Sequence, residues 1–583
     1  MSDASSQKLK LVFVSTEVTP WSKVGGLGDV IGALPVAMAA RGHSVMTVAP
    51  SPLTHRASRE AHGSLGSGQW PALGSAEALS SPRSSLQEAL AAGGMQDAGG
   101  DGAPGSHSQP SGAANSLMSP FVRYFWVRQD GVDRVFVDHP CYADTTDIYG
   151  TGNVNTYVES GEFPDLDLRY SILCQAALAA PHLLWPRKQA HAFAAQLSAG
   201  LQGSRVAFCI HNLAYQGTYP LEAFKRLCLP QRALPALLWP PVPGVGLEQQ
   251  EALRGAGGMV YAGEACEVAP HEPPSLNWMH AALSESDAVF TVSPNYAQEI
   301  RLDPDMACQM QDLLQRKGVR GIMNGIDTTE WDPATDPHLP EVARYTPATA
   351  VLGKAAAKAV LQAKFGLLQA LDVPLIGLIG RLTEQKGVDV VLSAVPALLG
   401  PARRAALAAT YGAGPNPALS TAPEMQMVML GTGEAWMEAA LEGLQASFPG
   451  SAVGLTYFDE AAAHLIMAAS DFILVPSRFE PCGLVAECAV RYGAVPIVAP
   501  VGGLKDLVTP EVGYLTERIG DKRDPNQHRI AVASLYSTVM QAVKEYGTPR
   551  FQQLQQNCMA LDVSWDKPAA EWEQALLQMM QQQ

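Results

Sequence analysis

Apolar positions along the chain switch between two periods. Residues 9–50 open with the β-rich run LKLVFVS, pass a glycine-rich turn KVGGLGDV (23–30), and continue with Leu27, Val30, Ile31, Leu34 and Met38 at helical spacing before a second β-rich run, SVMTVAP. Strand, helix and strand in that order predict a βαβ unit and a parallel sheet. Pro35 falls inside the helical stretch and predicts a kink there. Further on, VRYFWV and DRVFVDHP (133–140) read as strands. The second half alternates more regularly: VPLIGLIGR (373–381), MQMVMLGTG (425–433), AVGLTYFD (452–459), DFILVPSR (471–478) and AVPIVAP (494–500) are near-continuous apolar runs separated by helical segments. Strands without polar alternation belong to a sheet covered on both faces. The expected fold class is therefore α/β, with two doubly wound, Rossmann-like domains facing a cleft. The Pro/Asp-rich GIDTTEWDPATDPHLP near 325–345 marks the joint.

Two stretches break the alternation. Residues 56–116 are mostly Gly, Ala, Ser and Pro, too poor in apolar surface to offset their ordering entropy, and read as a disordered insertion. Residues 231–275, rich in Pro and Gly, read as loop.

Composition narrows the possibilities. Over 583 residues, 47% are apolar and the net charge is −16, which argues against a surface devoted to nucleic acid or to anionic membrane. An anionic ligand must then be met by local cations. Nine cysteines are scattered singly, without a C-x-x-C pair, as expected in a reducing compartment and without structural zinc. The absence of an apolar run of about 18 residues predicts no membrane span. Strand-like sequence begins at Leu9, from which no transit peptide is expected in the residues before it.

Three motifs follow predicted strands. In KVGGLGDV the backbone and helix start could face an anion, with Lys23 adding a full charge; the alternative is a tight turn with a solvated lysine. Ile31 stands where the dinucleotide fingerprint needs glycine, and no P-loop Gly-Lys-Ser/Thr follows. In GRLTEQKG (380–387), Arg381 and Lys386 could hold a diphosphate and stabilise its charge on departure, or could be surface cations pairing with Glu384. In PSRFEPCGL (476–484), Glu480 could accept hydrogen bonds from sugar hydroxyls or serve a helix terminus, while Gly483 permits close backbone approach. Cys482 reads as a packed small hydrophobe. His211 ends the strand RVAFCI and is open to an acid/base or a capping role. The D-x-D strings Asp165/Asp167 and Asp303/Asp305 raise a metal-dependent alternative on a weak signal, since so short a motif arises easily by chance in a chain of this length. Taken together, a lysine-bearing glycine loop in one domain and an Arg/Lys pair plus carboxylate in the other describe a cleft for a sugar joined to a diphosphate.

The strings SKVGGLGDVIGALP, HNLAYQG, TVSPNYA, NGIDTTEWDP, GRLTEQKGVD, PSRFEPCGL and SWDKPAAEWE, in this order, resemble the starch and bacterial glycogen synthases, closer to the plant and algal type. The resemblance implies a retaining glucosyltransferase of the two-domain GT-B fold. It implies ADP-glucose as donor substrate, no cofactor, no metal, and an α-1,4-glucan acceptor such as starch or a maltooligosaccharide, in a plastid. Domains would span 1–330, 331–560 and a C-terminal helix, 561–583, crossing back to the first. By the same resemblance Lys23, Gly25 and Gly26 would contact the donor's phosphates and glucose, and Arg381 and Lys386 would clamp the diphosphate. Glu480, Cys482, Gly483 and Leu484 would line the glucose and nucleotide site, with Asp29 and His211 beside the sugar.

The chain also departs from that pattern. The family's Asn-Asp-Trp-His strand, expected between SILCQAALAAP and HNLAYQG, is replaced by HLLWPRKQAHAFAAQLSAGLQGS (182–204), where His191 opens a helix-like run but lies in no such motif. Asp165-Leu166 replaces an Asp-Asn pair, His280 replaces a lysine after Asn277-Trp278-Met279, and Ala486-Glu487 follows Val485 where the family has Gln first. These departures leave a second expectation open, an impaired relative that binds donor or glucan as a scaffold.

Overall fold

The computed structural model describes residues 8–51 except Val24, 79–80, 122–142, 166–184, 204–239 except Cys228, 274–400, 424–520 and 524–581. The expected insertion at 56–116 falls outside these residues apart from Leu79–Ser80, as do His191, Asp165 and most of 182–204.

In the N-terminal part, strands β1 (Lys10–Val14), β2 (Ser44–Pro50), β3 (Leu79–Ser80), β4 (Arg123–Gln129) and β5 (Val132–Asp138) form one sheet in the order β1-β2-β5-β4-β3. The β1/β2 and β2/β5 pairs are parallel, as a βαβ opening requires. The β4/β5 and β3/β4 pairs are antiparallel, a direction that the apolar runs left unspecified. The reason is local: Asp130 and Gly131 both take positive φ and turn the chain straight back.

Strands β6 (Ala207–Ile210), β10 (Ala288–Thr291) and β11 (Val319–Gly321) make a separate parallel ladder, and β7 (Thr218–Pro220), β8 (Leu238–Trp239) and β9 (Ser275–Asn277) a small antiparallel one. Among the described residues β1 pairs only with β2 and β6 only with β10, so both are edge strands. Within 231–239, expected as loop, the chain instead forms a 3₁₀ turn, a one-turn helix Leu234–Leu237 and β8. Leu234 and Leu237 explain the order, because both are buried against Leu276 and Phe224.

Helix Gly26–Ala40 runs on through Pro35, whose ring is buried on its inner face. It covers one side of the first sheet through Val30, Leu34 and Met38, and helix Leu166–Leu184 packs on Met46, Val48, Val135 and Val137.

The C-terminal part holds six parallel strands, β12 (Leu375–Ile379), β13 (Gln426–Leu430), β14 (Ala452–Leu455), β15 (Phe472–Val475), β16 (Val495–Val498) and β17 (Tyr514–Leu515), in the order β14-β13-β12-β15-β16-β17. The central strands are buried along almost their whole length, which accounts for their unbroken apolar sequence. Helix Asp566–Gln581 then returns to the first part. Trp565, Ala569, Trp572, Ala575 and Leu576 enter the cluster formed by Val30, Leu34, Met38 and Phe290, and Ile326 donates its N–H to the Val563 carbonyl at 2.9 Å.

Candidate functional site

Loops from the carboxyl ends of both sheets meet between the two parts. The N-terminal loop is built around carboxylates: Gly25 N–H donates to Glu17 Oε2 at 3.1 Å, and Lys23 Nζ lies 2.7 Å from Asp29 in the first turn of helix Gly26–Ala40. The Thr19 hydroxyl also donates to Asp29, at 3.3 Å. Burial alone would lower the Lys23 ammonium, but the attraction of Asp29, helped by Glu330 and Glu460, outweighs it and leaves the pKa above its ordinary value. Lys23 therefore stays charged at any physiological pH.

On the opposite side, Arg381 stands two residues past β12. Its guanidinium donates to the Tyr215 hydroxyl at 3.2 Å, across from HNLAYQG, and to Gln385 Oε1 at 3.1 Å. Lys386 closes the 3₁₀ turn that follows and reaches Glu480 Oε2 at 2.6 Å, an oxygen that also accepts from the Ser477 hydroxyl at 2.8 Å. The two loops carrying this pair are tied together by Arg478, which makes two bonds of 2.7 Å to Asp389 and donates its backbone N–H to the Gln385 carbonyl at 2.8 Å. Gly387 completes the joint: its φ is +69° and a Cβ there would strike the Pro476 carbonyl oxygen.

Gly26 links the two sides, since a Cβ on it would sit 2.5 Å from Leu484 Cδ1, at the start of helix Leu484–Arg491. The lysine-bearing loop thus meets Leu484 through Gly26, while Lys386, from the loop after β12, reaches Glu480. Helix Pro294–Leu302 holds the two parts in this relation. The Ser293 hydroxyl donates to the Pro481 carbonyl at 2.6 Å, Asn295 N–H to Asp506 at 2.8 Å, and Gly502 N–H to the Glu299 carboxylate at 3.0 Å. Ser293 and Asn295 lie in the quoted TVSPNYA string, and Tyr215 in HNLAYQG, yet sequence reasoning attached no role to any of them.

The remaining candidates are placed as follows. His211 directly follows β6, and burial drives its pKa down to about 4, so the ring is neutral at pH 7. The buried Cys482 thiol donates to Glu487 at 3.5 Å, and burial with the Glu487 charge pushes it well above the usual range, as suits a packed hydrophobe. Glu487 is itself fully enclosed; burial raises it to about 8, and its Oε2 has no partner. His280 turns inward, with Nδ1 against the Ala236 carbonyl at 3.0 Å and the ring beside Trp239. Asp303 pairs with Arg518 at 3.0 Å and Asp167 with Arg226 at 2.8 Å, so one carboxylate of each D-x-D string serves an ion pair.

Two family models match the chain: the starch synthase catalytic domain over residues 10–74 and 109–316, and the glycosyl transferases group 1 over 373–537. Granule-bound starch synthase 1 of Pisum sativum is 34% identical over 98% of this chain and 83% of its own length; that of Manihot esculenta is 35% identical with the same coverage. The chain belongs to the starch synthase family. A solved structure, the catalytic domain of starch synthase IV from Arabidopsis thaliana bound to ADP and acarbose, superposes with a TM-score of 0.64 over 98% of this chain and 99% of that one, at 22% identity. The starch synthase assignment makes the protein a glycosyltransferase of the GT-B fold, and the cleft lies where that fold's two sheets face one another.

Proposed function

We propose that this starch synthase transfers glucose from ADP-glucose to the non-reducing end of an α-1,4-glucan with retention of configuration. The observation that supports this most directly is the Lys386–Glu480 pair at 2.6 Å, with Leu484 of the same loop set against Gly26 of the lysine-bearing loop. In this reading Lys23, with the Gly25 and Gly26 backbone, and Arg381 with Lys386 neutralise the donor diphosphate from opposite sides. Glu480, Cys482, Gly483 and Leu484 line the glucose and nucleotide, with Asp29 and His211 beside the sugar. The bond from glucose C1 to the diphosphate oxygen breaks as the bond from C1 to the acceptor oxygen forms. The acceptor's proton passes to the departing phosphate oxygen on the same face, and the cations hold the charge that accumulates there. Closure of residues 1–330 on 331–560, with 561–583 crossing back as a strap, would exclude water and favour transfer over hydrolysis. ADP-glucose enters as substrate, and the reading calls for no cofactor. The relatives' names, chloroplastic/amyloplastic, support a plastid location.

The test is incubation with labelled ADP-glucose and a maltooligosaccharide primer. Label is expected in lengthened glucan, as the α-anomer. Donor binding without label in glucan would overturn the reading and leave a scaffold.

A further inference from the structure

Beside the lysine-bearing loop, within electrostatic reach of Lys23, lies a cluster that the transfer reaction does not use. Glu330, Glu460 and His464 each offer a ligand atom, and the three atoms lie within 4.8 Å of one another. Glu460 and His464 are four residues apart on helix Glu460–Ala469 and so share one face; Glu330 comes from the turn that leads into the C-terminal part.

The imidazole is prepared in a specific way. Its Nδ1 meets Asp336 Oδ2 at 2.8 Å, and that carboxylate is itself held by the Tyr492 hydroxyl at 2.6 Å and the His338 backbone N–H at 2.8 Å. Trp331, the residue after Glu330, lies flat on the ring, with centroids 3.9 Å apart and planes 9° apart. Nδ1 is thereby committed as the donor, and Nε2 becomes the free lone pair. That Nε2 is fully buried and has no hydrogen-bond partner. A buried polar atom left unpaired is costly, and a carboxylate fixing the far nitrogen of an imidazole is the arrangement that orients a metal-bound histidine.

We propose that Glu330, Glu460 and His464 bind one divalent cation of the borderline class, zinc or manganese. One imidazole nitrogen with two carboxylates is a donor set suited to these ions, whereas calcium and magnesium prefer oxygen alone. The bound ion staples the inter-lobe turn to helix Glu460–Ala469. Lys23 is the cation now attracted to both carboxylates, so the ion and this ammonium compete for them.

His464 is enclosed, and its replacement would test folding as much as binding, so the carboxylates carry the experiment. Chelator-stripped full-length protein is titrated with Co²⁺, read by its visible absorption, and then challenged with Zn²⁺; thermal melts follow with and without Zn²⁺. Wild type should bind one equivalent with a nitrogen/oxygen spectrum free of thiolate charge transfer, release it to Zn²⁺, and melt higher with Zn²⁺ present. Glu330→Gln and Glu460→Gln should each weaken binding by about tenfold or more, and Lys23→Ala should tighten it. The proposal is overturned if wild type binds no stoichiometric Co²⁺, if a thiolate band appears, if either glutamine variant retains full affinity, or if removing Lys23 leaves affinity unchanged or lower. These readouts do not depend on glucosyl transfer, so the site stands or falls separately from the donor reading.

Discussion

In the proposed donor reading, single side chains at the cleft are held by counter-charges that a diphosphate would displace. Lys386 rests on Glu480 and Lys23 on Asp29, so each cation is positioned before a donor arrives. Replacing Lys386 with alanine should lower kcat by about 10²- to 10³-fold, the usual consequence of losing one preorganised group facing developing charge. Steady-state kinetics against ADP-glucose is the check, and Lys23→Ala should raise the donor KM or lower kcat in the same assay. Glu487 makes a different prediction. Burial raises its folded pKa to about 8, above the ordinary 4.5, so the folded chain holds a proton there that the unfolded chain has released. Stability must then fall as pH rises from about 4.5 to 8, because the native state binds more protons in that window. Glu487→Gln keeps the shape and removes the titration, so the melting temperature of the variant should gain on wild type steadily between pH 5 and pH 8.

At the scale of elements, the strand-to-loop junctions do the positioning. Arg381, Lys386 and Glu480 were legible as site candidates because each follows an apolar run of strand length. Their mutual contact was not legible, since 94 residues separate Lys386 from Glu480 and only the adjacency of β12 and β15 brings the loops together. Gly387 is the hinge of that junction. Alanine there should cost about 1–2 kcal/mol for the left-handed backbone alone, and more for the collision with the Pro476 carbonyl. Denaturant midpoints should show the loss, and kcat should fall with it as Lys386 shifts. The antiparallel β4/β5 pairing was not legible because apolar runs do not state their direction; the clue lay in Asp130-Gly131, a turn signal between two β-rich runs. Helix Leu234–Leu237 was hidden by its surrounding prolines.

For the molecule as a whole, the last helix matters most. Trp572 packs on Phe290 with ring centroids 4.7 Å apart and lies among Val30, Leu34 and Met38, while Glu573 pairs with Arg41 and reaches His43 Nε2 at 2.9 Å. Sequence following the C-terminal sheet thus completes the core of the N-terminal one. Trp572→Ala should cost about 3–5 kcal/mol, as large aromatic truncations in cores do. The melt should resolve into an early transition of the N-terminal part and a later one of the C-terminal part, seen by calorimetry.

The order of apolar runs, the glycine-rich turns and the cations behind them are local properties, and the sequence alone determined the α/β class, the parallel C-terminal sheet and the family. Which charges pair, which imidazole nitrogen is left bare, and which helix caps which core depend on contacts between residues tens to hundreds of positions apart. Those were decided only by the packing, because burial and charge pairing act through space, while periodicity reports on the chain's nearest neighbours.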